Sequence, residues 1–334
     1  MADILDIFDT ILKRFSDESI RNIRLLAQSG SSRKYYRIST HSKSFIGTEG
    51  SDLKENAAFL ELAEHFQDKG VSVPKIYACS KDNRYYIQED IGDQSLYQLL
   101  PESGLKHSDQ LLAYYEKSID LLLKVHTVGS QHLDYSMCYP ASEFDALSIQ
   151  WDLEYFKYYF LKLNDLSYDE HALQVELDSL RDKAASVPRT CFMIRDFQSR
   201  NIMLQDTMPT LIDFQGGRLG PFQYDLVSLL WQAKANLPHS WKEKLKQRYI
   251  TGLRSSVNLD VDTFDSQYWL FVLIRTMQVL GAYGLRGVVQ GKTHFIESIP
   301  FAVANLDYLF SEKSDYLPDL PQVKQAFKDY LNRI

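Results

Sequence analysis

The strongest constraint on this chain is a change of texture at Gly92. Before it, IRLLAQ, KYYRIST, SFIGT, KIYACS and RYYIQEDI form short β-prone runs separated by turn residues. After it, apolar residues recur at helical spacing, and one short β island interrupts them at about 192–214. The pattern predicts an α+β chain: a small β-rich N-lobe over 1–91, with an amphipathic helix, three to five strands and one further helix, then a larger, mainly helical C-lobe over 92–334.

Local signals fill in that outline. Ile4, Ile7, Phe8, Ile11, Leu12 and Phe15 share one stripe, which predicts an amphipathic helix over 3–15. LKENAAFLELAEHFQDKG predicts a second helix that Gly70 ends as a C-terminal cap. Ser108 is placed to cap a helix reaching about Thr127. Segments 143–163, 169–186, 225–236, 238–255, 264–283 and 300–312 also read as helices.

Composition removes several function classes. Hydrophobic residues make up 45% and charged residues 24% of the 334 positions, enough for a sizeable core. The net charge of −7 is spread along the chain, whereas nucleic acid or an anionic membrane as main partner would require a basic patch. Cys79, Cys138 and Cys191 have no metal-type spacing, and so sparse a set fits a reducing compartment. Acids interrupt the apolar N-terminus, and no run of 18 apolar residues occurs. A soluble, cytoplasmic protein is expected.

The island CFMIRDFQSRNIMLQDTMPTLIDFQGG holds the chemistry. NIML and TLID flank the turn Gln205-Asp206-Thr207-Met208-Pro209 and read as a β-hairpin. Antiparallel pairing would bring Asn201 beside Asp213 at its open end. An amide oxygen with a carboxylate suits Mg²⁺, which takes few protein ligands and completes its shell with phosphate and water. Asp196, five residues before Asn201, stands in the loop leading in, where it could accept a proton from an attacking hydroxyl.

Asp-x-x-x-x-Asn followed by an apolar-Asp-Phe run resembles the catalytic and metal-binding loops of the protein-kinase superfamily. The resemblance implies a protein-kinase-like two-lobe fold, Asp196 with Arg195 in the catalytic loop, and Mg²⁺ on Asn201 and Asp213. LIDFQGGRLGPFQYDLVSLL is similar to the aminoglycoside phosphotransferase and choline kinase group. There Asp225 begins a helix and supports the catalytic loop through backbone hydrogen bonds, beside its plainer reading as a helix N-cap. IRTMQVLGAYGLRG and Gln215 further resemble anomeric kinases of N-acetylmuramate and N-acetylglucosamine. The expected activity is therefore transfer of phosphate from ATP or GTP to a small-molecule hydroxyl, with an N-acetylated hexosamine as acceptor and a sugar 1-phosphate as product. Other alcohols of the same group, and a nucleotide-binding pseudokinase regulator, are the alternatives.

In the N-lobe, Ser29, Gly30, Ser31, Ser32 and Arg33 sit where the phosphate-covering loop belongs, although an ordinary hairpin turn reads equally well. The backbone near Glu89 and Ile91 is expected to hold adenine. The resemblance calls for a lysine in SFIGTEG, and there is none. Arg33, Lys34 and Arg37 are the cations nearby, and Glu55 stands where that lysine's usual partner would be. Ile194 also replaces a histidine common before Arg-Asp. For the acceptor, Trp151, Asp152 and Glu154 offer an aromatic face with acids, against the simpler reading of a core helix with two exposed acids. Arg275 and Arg286 are either acceptor contacts or buttressing and surface residues.

Overall fold

The computed structural model describes residues 3–27, 33–100 and 108–333. The first half runs α1 (Ile4–Leu12), β1 (Asn22–Leu25), β2 (Lys34–Ser39), β3 (Ser44–Glu49), α2 (Leu53–Asp68), β4 (Ile76–Cys79), β5 (Tyr85–Glu89) and α3 (Asp109–Lys124). Then follow α4 (Ala146–Phe156), α5 (Glu170–Ala185), β6 (Cys191–Met193), β7 (Ile202–Gln205), β8 (Met208–Leu211), β9 (Arg218–Gly220) and α6 (Phe222–Leu230). The C-terminal part adds α7 (His239–Arg254), α8 (Val261–Tyr283), α9 (Thr293–Ile296), α10 (Ile299–Glu312) and α11 (Pro321–Arg333). These elements form two compact units, Met1–Ser142 with Arg200–Arg218, and Glu143–Ser199 with Leu219–Ile334.

In the first unit all five β-prone runs become strands of one antiparallel sheet, in the order β1-β2-β3-β5-β4. Successive side chains alternate faces, so each strand serves two layers. Phe8, Ile11 and Leu12 of α1 pack on Ile38, Phe45 and Ile87. Gly47 permits the approach, because a Cβ there would lie 2.7 Å from the Phe8 ring. The alternate positions face α2, where Phe59 meets Tyr86 at 5.4 Å between ring centroids. Asp52 caps α2 through the amides of Lys54 and Glu55, and buried Asn56 donates to the carbonyls of Gly50 and Asn83 at 3.0 Å each. Gly70 ends the helix region with φ 65°, as its cap role requires.

The hairpin of β7 and β8 pairs Ile202 with Leu211 and turns at Asp206-Thr207, whose φ values are 47° and 68°. Leu204 donates its amide to Gln94 and Leu211 donates to Ser72, at 2.8 and 2.9 Å. The hairpin and α3 thus belong to the unit that holds the sheet, whereas the sequence pattern grouped them with the helices that follow.

In the second unit, α8 is long and apolar enough to cross a membrane by composition, yet 72% of its most apolar window is buried as core. Its close approach to α4 depends on two glycines. A Cβ on Gly281 would stand 2.3 Å from the Tyr155 carbonyl carbon, and one on Gly284 would stand 1.8 Å from the Tyr159 carbonyl oxygen. That is the structural reason for the spacing in VLGAYGL.

Three details differ from the sequence expectation. The helix expected over 225–236 begins at Phe222 and ends at Leu230, with Pro221 as its N-cap, so Asp225 lies inside the first turn. β6 is separate from the hairpin: the Thr190 amide just before it donates to the Gly220 carbonyl of β9 at 2.9 Å. The final helix α11 was not anticipated. Its first amides, Gln322 and Val323, donate to buried Glu176 of α5.

Glu18 ties the β2–β3 turn to the segment before β1. It accepts from the amides of His41 and Ser42 at 2.9 and 3.1 Å and from the Ser42 hydroxyl. The hydroxyls of Ser42 and Thr40 and these amides lower its pKa to about 2. A carboxylate depressed in the fold adds stability above its unfolded pKa, and that gain is lost as pH falls through the folded value. Glu18→Gln should therefore lower stability at pH 7 and converge on wild type between about pH 4.5 and 2. Urea titrations across that range would show it.

Candidate active site

In the second unit, β6 delivers Ile194, Arg195 and Asp196 to the start of α6. The fully buried Asp225 accepts the Ile194 amide at 2.6 Å and the Arg195 amide at 2.9 Å, one on each carboxylate oxygen. Arg195 adopts φ 74°, a conformation a non-glycine residue rarely takes without such support. The loop end is fixed by Gln232, whose side-chain oxygen accepts from the Ser199 amide and hydroxyl at 3.0 and 2.7 Å.

Beneath this loop lies a network of two acids and two guanidinium groups. Arg195 donates to Asp152 at 2.8 Å, and Arg275 donates to Asp196 at 3.0 Å. Arg275 also donates to Gln278 at 2.6 Å, and Tyr224 lies 3.5 Å from both Asp152 and Arg275. Burial pushes the Asp152 carboxyl up, against the pull of Arg195 and Arg275. Burial also opposes the charge on Arg275, but Tyr224, Asp196 and Asp152 outweigh it and raise its pKa. The side chain of Asp196 is 53% exposed while that of Arg275 is 7% exposed. The acid faces outward and its buried partner sets its direction.

In the first unit, the hairpin brings Asn201 and Asp213 together as antiparallel pairing predicts, with the Asn201 amide nitrogen 3.4 Å from Asp213 Oδ2. Gln215 donates to Asp213 Oδ1 at 2.9 Å. Asp213 has φ 61°, and the next residue, Phe214, is fully buried, stacked on Phe59 at 5.0 Å and edge-on to Phe66. Among the described residues no group of three or more His, Cys, Asp or Glu is arranged to hold a metal. One amide and one carboxylate do supply hard oxygen donors of the kind that hold Mg²⁺ together with phosphate and water.

The cations near the missing lysine separate clearly. Arg33 is 2% exposed, lies over the Phe59 ring at 5.6 Å, and has its Nη2 3.5 Å from Glu55. Burial raises the pKa of neighbouring Tyr35, Arg33 opposes this, and Asp213 adds to it. Lys34 instead pairs with Glu49 at 3.4 Å on the sheet surface. Arg37 binds Asp90 and Asp93, each at 2.8 Å.

Other expected site residues are scattered. Ser29, Gly30, Ser31 and Ser32 lie outside the described residues. Glu89 accepts the Lys75 amide at 3.2 Å, and Ile91 is buried. Trp151 is exposed on α4, and Glu154 accepts from Gln150 at 2.9 Å. Asp152 is not the exposed acid of the core-helix reading, because α8 and the catalytic loop enclose it. Arg286 is exposed and lies over Phe295. Sequence reasoning gave no role to Tyr224, although it stands in the Tyr-Asp-Leu run, and missed Gln232, whose signal was polarity in an otherwise apolar stretch.

The model of the Phosphotransferase enzyme family matches residues 22–258. This chain belongs to that family. The N-acetylmuramate/N-acetylglucosamine kinase of Pseudomonas aeruginosa is 24% identical over 308 residues, covering 88% of this chain and 87% of its own. The N-acetylmuramate/N-acetylglucosamine kinase of Caulobacter vibrioides is 25% identical over 284 residues, with 82% and 74% covered. Among solved structures, a choline kinase from Cryptosporidium parvum superposes with a TM-score of 0.61 at 14% identity, covering 98% of each chain. The fold is thus the protein-kinase-like α+β fold, and this phosphotransferase is a kinase.

In this phosphotransferase, Asp225→Asn exchanges one acceptor for a donor facing a buried amide. Urea unfolding should show a loss of roughly 1–3 kcal/mol, the cost of one unsatisfied buried group.

Proposed function

We propose that this phosphotransferase moves the γ-phosphate of ATP onto the anomeric hydroxyl of an N-acetylated hexosamine, giving a sugar 1-phosphate. The observation that carries the chemistry is the half-exposed Asp196 held at 3.0 Å by buried Arg275. A carboxylate fixed in this way can orient an acceptor hydroxyl. As the new O–P bond forms and the bond to the leaving diphosphate breaks, the hydroxyl proton passes to Asp196. Arg275 is then a positioning residue and not an acceptor contact, because its donors are engaged within the protein.

Asn201 and Asp213 would hold Mg²⁺, which when bound neutralises charge on the β- and γ-phosphates. Gln215 and the buried Phe214 keep the Asp213 carboxylate in place. Arg33 takes the role of the absent lysine: it is the cation beside Glu55, and its surroundings favour a fixed orientation. The choice of acceptor rests on the curated relatives, which cover most of both chains.

The test is consumption of ATP with Mg²⁺ over N-acetylmuramate, N-acetylglucosamine, other hexosamines, kanamycin and choline. Turnover is expected with an N-acetylated hexosamine, and Asp196→Asn or Asp213→Ala should reduce it by at least about 10²-fold in folded protein. Turnover restricted to choline or kanamycin would overturn the acceptor, and a fully active Asp213→Ala would overturn the metal site. Arg33→Met should raise KM for ATP about tenfold, with Arg33→Lys recovering part of it, since one charge-assisted contact is at stake.

A further inference from the structure

A cavity lies in the unit formed by Glu143–Ser199 and Leu219–Ile334, built from residues that take no part in the network around Asp196. Its volume is about 170 Å³, far more than one water requires. Trp231 at the end of α6, Lys242 on α7, Trp269 on α8, Tyr308 on α10 and Lys313 just beyond α10 form its walls. The polar atoms of the nearest aromatic pair are already engaged, because the Trp231 indole N–H donates to the Tyr268 hydroxyl at 2.8 Å.

Its charges are not balanced. The Lys242 ammonium lies 3.8 Å from the centroid of the Trp231 ring, and the residue is only 7% exposed. Lys313 stands 4.8 Å over Trp269. Among the described residues neither forms an ion pair. The one acid in the wall, Glu243, is 3.1 Å from Lys246, which also pairs with Asp265 at 2.7 Å. Two ammonium groups therefore face one aromatic cavity whose single acid, Glu243, feels the charge of Lys313 but is already bound by Lys246 and Gln247. A cation–π contact offsets only part of what burial costs an ammonium. In keeping with this, burial lowers the Lys242 pKa to about 8.

We propose that this cavity is a second binding site, for a small organic anion that joins a carboxylate or phosphate to a flat apolar body. The anion would sit between Lys242 and Lys313, and the flat part would stack among Trp231, Trp269 and Tyr308. The proposal is independent of the sugar reading, since it shares no residue with that site.

Phenyl phosphate, benzoate and inorganic phosphate serve as probes, titrated calorimetrically into the full-length protein. Saturable binding of phenyl phosphate or benzoate is expected, at least tenfold tighter than inorganic phosphate. Comparing the first two identifies the preferred anion. Lys242→Met should weaken binding at least tenfold and Lys313→Gln at least threefold, while Asp213→Ala leaves it unchanged. Lys313 is the more exposed of the two, so its variant tests the site even if Lys242→Met folds poorly. No saturable binding, equal binding by the folded lysine variants, or loss of binding in Asp213→Ala would overturn the proposal.

Discussion

The carboxylate of Asp225 is the contact on which the catalytic loop depends. Its two oxygens take consecutive amides, those of Ile194 and Arg195. This fork holds the loop at the one point where its backbone is strained, the positive φ of Arg195. With Arg195 fixed, its guanidinium reaches Asp152, and the next residue, Asp196, meets Arg275. Charges of opposite sign alternate through this network, and no member is left in the interior without a counter-charge.

The helices around the network are placed to deliver those charges. Asp152 comes from α4 and Arg275 from α8, and glycines 281 and 284 let these helices approach to backbone contact. Larger residues there would separate α8 from α4 and pull the two ion pairs apart. In the other unit, Phe214 performs the comparable task. It stacks on Phe59 of α2, the helix that also presents Glu55 to Arg33, so the hairpin acid and the cation are referred to one helix. A substitution in α2 that moved Phe59 would disturb both.

Much of this was legible in the chain. The five β-prone runs became five strands, because alternation with turn residues between runs is a local property. The meeting of Asn201 and Asp213 also followed from sequence, since two apolar runs joined by a short turn pair antiparallel, although the turn has two residues where five were expected. The burial of Asp152 was not legible. Its neighbour Trp151 stays exposed while Glu154 is half-buried, and nothing in WDLEY marks which polar residue turns fully inward. The N-terminus of α6 was misplaced by three residues because Asp225 resembles a cap in sequence while binding a different segment in space.

Sequence alone determined most element types, the hairpin and the Asp-x-x-x-x-Asn and Asp-Phe pair, because each depends on neighbours within a few residues. Tertiary structure decided which charge meets which. Arg33 rather than Lys34 or Arg37 lies beside Glu55, because Lys34 alternates to the opposite face beside Glu49 and Arg37, farther along β2, is held by Asp90 and Asp93. Arg275 meets Asp196 across 79 positions of chain, and Lys242 is buried against Trp231 at the junction of separate helices. Long-range pairing of this kind is set by how helices and strands pack, and a linear pattern does not encode it.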